Sequence, residues 1–425
     1  LAVVAEQGTV RDTVAETVRV EGARILATLI RTVGDVQIAE DAVQEASLAA
    51  LGAWPVTGVP PQPRAWLTVT ARRKAIDILR RERARPGKEL DGLRMIELAR
   101  SDLPPEDVVH DDLLRLIFIC CHPTLSPPTR IALALRTLCG LSPAQIAGVL
   151  LTTEAATTKR LTRARQKIAA AHVPYRVPAE HELPDRLPSV CGVIHSLYTA
   201  GHAPVDGSAV YDVDACAEAI RLAELLHDLL PDQPMPASVL ALMLLTEARR
   251  PARLDEHGEV VPLDRQNRCQ WDAAAISRGI ALLNDSLRRS HGQADPYQLQ
   301  AAIAAEHSRA ASYDDTDWVE ILRLYDLLVS IAPSHAAGLG RVVAAAEAAD
   351  SATGLAMLAE LPQSPRWHAV RAELLAREGR HTEAARELAE SLAGPATQPE
   401  RKHRERRQRA LLELAILTAP DETES

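Results

Sequence analysis

The chain has 425 residues, 47% of them hydrophobic, and a net charge of −9. Its length suggests roughly two to four domains at ~100–200 residues each, with ample apolar material for their cores. The acidic balance alone argues against a nucleic-acid binder, and no apolar run approaches the ~20 residues that span a bilayer.

Aromatics make up only 3% of the chain, with a single Phe, so Ala, Leu, Ile and Val must fill the cores. Almost no segment alternates with the period of two that marks a half-buried strand, and Ala and Leu are strong helix formers. An all-α fold is expected. The stretch Leu1–Ala5 is too short for the apolar core of a signal peptide and runs into an acidic segment, so a cytosolic protein is expected.

The charge is unevenly spread. Residues 1–171 hold 23 Lys and Arg against 19 Asp and Glu, a net of +4, which leaves −13 for the rest. A basic, nucleic-acid-facing part joined to an acidic partner part fits this asymmetry. An acidic surface that merely keeps the protein soluble fits the second half equally well.

In chain order, helical apolar spacing first runs from about Arg19 to Arg85, broken by a loop at Pro55–Pro63. Within it, Asp41, Gln44, Glu45 and Leu48 stand at i, i+3, i+4 and i+7 on one helix face. An acidic, amide-bearing and half-apolar stripe suits protein docking, although an ordinary exposed face looks the same in isolation. The next helix, Arg64–Arg85, carries eight basic residues against Asp77 and Glu82 and turns Leu67, Ala71, Ala75, Ile78 and Leu79 to one side. Trp66 near its start is either core or a platform for an unpaired base. Basic amphipathic helices also bind membranes and calmodulin-like partners, so this helix alone decides nothing.

A Pro-containing connector at about Pro86–Asp107 precedes a second block at 108–172. There Cys120-Cys121-His122 closes the apolar run Leu113–Cys121. The six cysteines of the chain form no CxxC pair, so buried free thiols are a better expectation than a zinc site.

The sharpest signal is Leu141–Ile168. Ser142 and Pro143 open a short helix with Ile146, Ala147 and Leu150 inward, a tight turn follows at Leu151–Thr153, and a second helix starts near Glu154. This is the spacing of a helix-turn-helix. At about 100° per residue, Thr157, Leu161, Ala164 and Ile168 share the buried stripe of that second helix. Its other sides present Thr158, Lys159, Arg160, Thr162, Arg163, Arg165, Gln166 and Lys167, five of them basic, against the single acid Glu154. A helix lying among major-groove phosphates requires that excess of cations, some reaching base edges while the flanks neutralise phosphates.

A Pro-bearing stretch, Val173–Pro188, then leads into successive helical segments at Ala215–Leu230, Ala237–Arg250, Ile276–Arg289, Tyr297–Ala311, Asp317–Ile331 and Ala336–Ala349. The last pair, Trp367–Glu378 and Thr382–Leu392, places Ala372, Gly379, Ala384 and Leu388 at the small, turn, small and large positions of a tetratricopeptide hairpin. No HExxH, GxSxG, P-loop or paired-Cys signature is present, so neither an enzyme nor a cofactor is expected.

Three of these segments, in this order, resemble the extracytoplasmic-function sigma factors of bacterial RNA polymerase, across about residues 20–171. AEDAVQEA at Ala39–Ala46 looks like the family's polymerase-clamp helix, which implies core-polymerase binding by Asp41, Gln44, Glu45 and Leu48. PRAWLTVTARRKAIDILRR at Pro63–Arg81 looks like the helix that melts and reads the −10 element, implying DNA contacts by Trp66, Thr70, Arg72, Arg73, Lys74, Arg80 and Arg81. Arg73 stands where the family often has Asn. TEAATTKRLTRAR at Thr153–Arg165 resembles the −35 recognition helix, implying promoter contacts by Thr158, Lys159, Arg160, Thr162, Arg163, Gln166 and Lys167.

DDLLRLIFICCHPTLSP at Asp111–Pro127, with ALMLLTEARR, QWD, PYQLQAAIAA and TDW downstream, resembles the subgroup that bears a tetratricopeptide-like C-terminal extension. IHSLYTAGH at Ile194–His202 departs from that subgroup's more aromatic, Asn/Glu/Gly-containing pattern. The resemblance divides the chain into a first sigma domain at 19–86, a linker at 87–107, a helix-turn-helix domain at 108–172 and a helical extension at 188–420. It implies a non-enzymatic initiation factor whose partners are core RNA polymerase and promoter DNA. The extension would regulate through a protein partner or an intramolecular contact. A helix-turn-helix regulator with a helical sensor domain is the competing reading.

Overall fold

The computed structural model describes residues 2–83, 106–138, 141–150, 152–170, 178–203, 211–394 and 396–417. Among them all regular structure is helical and no strand forms. Two compact units divide between Ser196 and Leu197.

The first unit opens with α1 (Ala2–Val33), α2 (Val36–Thr57) and α3 (Pro63–Arg83). Asp35 caps α2 by accepting from the Ile38 amide at 3.0 Å. Ala39, Ala42, Ala46 and Ala50 form a fully buried row along α2. These small side chains let α1 and α3 pack close against it. Leu67, Ala71, Ala75 and Leu79 supply the facing row of α3, as the apolar spacing requires.

α4 (Glu106–Cys120) packs on α1, and α5 (Pro127–Thr137), α6 (Pro143–Val149) and α7 (Glu154–Ala170) complete the second sigma-like block. Apart from Arg115, the run Leu113–Cys121 is apolar and buried all round. Burial pushes the Cys121 thiol up to about 12, which leaves it an inert core group. α8 (Leu183–His202) crosses the division between the units. Its first turns belong to unit 1: Arg186 donates to the Phe118 carbonyl at 3.0 Å, and Ser189 donates to the Cys121 carbonyl at 2.9 Å.

In unit 2, α9 (Val213–Leu229), α10 (Pro234–Glu247), α11 (Ala273–Arg289), α12 (Pro296–Arg309), α13 (Trp318–Ile331) and α14 (His335–Ala348) follow. They are continued by α15 (Ser351–Leu358), α16 (Pro365–Arg377), α17 (His381–Leu392) and α18 (Gln398–Leu417). Each helix packs on its neighbours in sequence, which gives the stacked-hairpin arrangement of a tetratricopeptide-like array. Asp295 and Gln298 close a reciprocal capping box at the start of α12. Gly379 turns the chain between α16 and α17 at φ 74°, a left-handed conformation that favours glycine. Ala372, Ala384 and Leu388 are buried across that turn, where a tetratricopeptide hairpin needs them.

Several boundaries differ from the sequence reading. α2 continues through Pro55 to Thr57 and ends at Gly58, so the loop is shorter than Pro55–Pro63. α1 extends back to Ala2, well before Arg19. α8 begins inside the Pro-bearing stretch, with Pro184 in its first turn and Pro188 within the helix. The connector at 87–105 and Arg85 lie outside the described residues.

Candidate nucleic-acid interface

The helix-turn-helix is built by α6 and α7. Ile146 and Ala147 anchor α6 in the core, the Thr152 amide donates to the Ala147 carbonyl at 2.9 Å, and Thr153 caps α7 through the Ala156 amide at 3.2 Å. Thr157, Leu161 and Ala164 are buried and Ile168 is half-buried, which fixes the rotation of α7. Thr158, Lys159, Thr162, Arg163, Gln166 and Lys167 are therefore exposed, and Arg160 is half-exposed. Lys159, Arg160, Arg163 and Lys167 line a groove of about 440 Å³ whose opposite wall is Ser126 and Thr129 at the start of α5. Four cations with two hydroxyls in one open groove suit a phosphate backbone. The sequence reading missed Ser126 and Thr129, because only tertiary packing brings them beside α7.

On α3, Arg73, Arg80 and Arg81 are exposed, while Trp66, Thr70, Arg72 and Lys74 are half-buried. Trp66 packs edge-on against the buried Trp54 with ring centroids 5.5 Å apart, so its indole belongs in part to the core. On α2, Asp41, Gln44 and Leu48 are exposed and Glu45 is half-buried. Asp41 accepts from the Gln37 amide group at 2.9 Å. Glu45 lies 3.4 Å from Lys74 and 3.3 Å from Arg81, so the α2 stripe touches the basic face of α3. Leu48 and Leu51 stand exposed beside a groove of about 310 Å³ lined also by Leu26, Val43 and Gln44. This adds Leu51 and Val43 to the apolar part of the stripe.

α2 and α7 also meet. The buried Glu40 carboxylate accepts hydrogen bonds from Arg165 of α7 and, at 3.3 Å, from Thr137 of α5. Burial raises the Glu40 pKa, with Arg165 and Arg136 pulling the other way. A second pair joins α1 to α4, where Arg31 lies 2.9 Å from the fully buried Asp112. Arg165 is thus committed to the protein interior and stands apart from the open cations of α7.

Comparison with known proteins accounts for this arrangement. The chain matches the family model for sigma-70 region 2 over residues 18–85 and that for sigma-70 region 4 over 115–168. It is 32% identical over 181 residues to the probable ECF RNA polymerase sigma factor SigI of Mycobacterium tuberculosis. The chain is an extracytoplasmic-function sigma factor with a C-terminal extension. The match to SigI spans 41% of this sigma factor and 61% of that protein. An uncharacterised protein of Rhizobium meliloti is 39% identical over 84% of the sigma factor and 86% of its own length, so the likeness includes the extension. Residues 186–287 of the sigma factor match a family of unknown function, DUF6596. Across 98% of the sigma factor and 88% of yeast Tom70, the crystal structure of Tom70 superposes with a TM-score of 0.37 at 12% identity, a low similarity. Among the described residues no helix is long and apolar enough to cross a membrane.

Proposed function

We propose that the protein binds core RNA polymerase and directs promoter-specific initiation, with the α2 stripe docking, α3 opening the −10 element and α7 reading the −35 element. The open row of Lys159, Arg160, Arg163 and Lys167 on α7 carries this reading, since those cations line one open groove with Ser126 and Thr129. On this reading Asp41, Gln44, Glu45 and Leu48 meet polymerase. Trp66, Thr70, Arg72, Arg73, Lys74, Arg80 and Arg81 meet the −10 region, and Thr158, Thr162, Gln166 and the α7 cations meet the −35 region. The protein then works in the cytoplasm, beside polymerase.

In vitro transcription with purified core polymerase tests this reading. Promoter-specific initiation supports it, whereas DNA binding without initiation favours a helix-turn-helix regulator. The double variant Asp41→Arg/Glu45→Arg is expected to lose core-polymerase binding in a pull-down while keeping DNA binding. Unchanged pull-down removes the docking role of α2.

The acidic extension is the regulatory part on this reading. A truncation after Ala171 would strip Arg186 and Ser189 from Phe118 and Cys121 and so disturb unit 1 itself. Truncation after Ser196 is the cleaner test. Increased transcription indicates masking by the extension, lost transcription indicates a required arm, and no change refutes regulation by charge.

A further inference from the structure

Unit 2 gathers four arginines near one end of α10, and their environments differ. Arg250 pairs with Glu247 at 2.5 Å. Arg253 donates to the His202 carbonyl at 3.0 Å and lies over the Tyr211 ring. Arg268 donates to the carbonyls of His307 and Ala310 at 2.5 and 2.8 Å, and to the Thr316 hydroxyl at 3.1 Å, closing the end of α12. These three do what structural arginines do: they satisfy carbonyls at helix ends or pair with an acid.

Arg249 does none of this. Its guanidinium lies 5.6 Å from the centre of the Trp271 ring, which Arg268 also approaches at 4.9 Å. Its Nε is buried without a partner, and among the described residues no acid pairs with the group. Trp271 Nε1 and His307 Nδ1 are buried without partners as well. The nearby acid Glu247 is already engaged by Arg250 and by the Tyr198 hydroxyl at 3.2 Å. Burial, and then Arg253, lower the Arg249 pKa only to about 10, so it stays charged at neutral pH. His307 is pushed down to about 4 by burial and by Arg249 and Arg268, so it adds no charge of its own.

A half-buried cation whose Nε is cut off from water is costly unless something completes its hydrogen bonds. Arg268 supplies the internal comparison: it uses the same indole, and both its Nη groups are hydrogen-bonded. An oxyanion meets the need of Arg249, because a guanidinium edge binds two oxygens of a phosphate or carboxylate in parallel. Arg253 and Arg268 lie in electrostatic reach of Arg249 and, with Glu247 and Asp315 offsetting only part of their charge, favour a dianion over a monoanion. We propose that Arg249, aided by the charges of Arg253 and Arg268 beside it, forms an oxyanion site in the extension that takes the phosphate group of a small phosphorylated ligand. The proposal is independent of promoter recognition by unit 1.

Thermal unfolding and tryptophan fluorescence of the full chain test it, with inorganic phosphate or pyrophosphate added at constant ionic strength against chloride. The unfolding midpoint of the extension is expected to rise with either anion. Arg249→Met should match or exceed the parent in chloride, since it removes an unpaired half-buried cation, and should lose the phosphate response. Arg249→Lys keeps the charge without the fork and should need at least tenfold more phosphate. A double variant Lys159→Ala/Arg163→Ala should keep the response, which separates this site from the α7 groove. Trp271→Phe should abolish the fluorescence change. A parent protein that responds no more to phosphate than to chloride overturns the proposal. So does an Arg249→Met variant that responds like the parent, or protection by citrate with none by phosphate.

Discussion

Unit 1 and unit 2 use cations in opposite ways. On α7, Lys159, Arg163 and Lys167 project from a helix whose other side is locked in a core, so each is exposed along an open groove. In unit 2, Arg268 and Arg249 lie on one indole, and Arg268 is consumed by carbonyls. The acid-rich half of the chain therefore holds a set of enclosed cations. Net charge describes the far field of a domain; what a cation can bind depends on how its hydrogen bonds are already spent.

The comparison is tested most severely at Arg165, the α7 cation that behaves like those of unit 2. Glu40→Ala leaves it half-buried beside no acid, and a loss of about 3 kcal/mol in denaturant stability is expected. An unchanged midpoint would return Arg165 to the exposed class. Replacing both Glu40 and Arg165 by Met should restore most of that loss, because burial already works against the Glu40 charge.

Acid should act on unit 2 with a similar size. His307 is held down at about 4, below its unfolded value of 6.5. Between those values the unfolded chain binds the proton and the folded chain does not, so stability falls as pH drops from about 7 to 4. The integrated contribution is about 3 kcal/mol. It should appear as the difference between parent and His307→Gln in denaturant curves across that window, and parallel curves would mean that His307 is solvated.

Arg163→Ala is the mildest of the three, with about 1–3 kcal/mol expected for a lost base contact. Transcription from −35-dependent promoters should fall roughly ten- to a hundredfold while core-polymerase binding is kept. Loss of polymerase binding would place Arg163 with Arg165, in an interior role.

Local periodicity made the exposed face of α7 readable, since one turn of helix already separates Leu161 and Ala164 from Arg163 and Lys167. It also made the all-α fold and most helices of the extension readable. α15 escaped because eight residues with Thr353 and Gly354 carry too little period. α18 escaped because its first half is charged on every side. α8 escaped because Pro184 and Pro188 read as a break, although Pro184 sits in the first turn, where a helix tolerates Pro. Long-range pairs left no trace in the sequence: Glu40 and Arg165 are 125 residues apart. The isolation of Arg249 becomes visible only when the carbonyls claimed by Arg253 and Arg268 are known.

The contact of Glu45 with Lys74 and Arg81 makes α2 and α3 share one set of charges. A partner that takes the Glu45 carboxylate hands two cations back to the face of α3. Phosphates drawn to those cations release Glu45 in turn. Linkage requires the gain to be equal in either order of arrival. With each such surface pair worth ~0.2–1 kcal/mol, the coupling is a few-fold. On the proposed docking of α2 on polymerase and of α3 on DNA, it biases the two partners toward binding together and leaves each able to bind first.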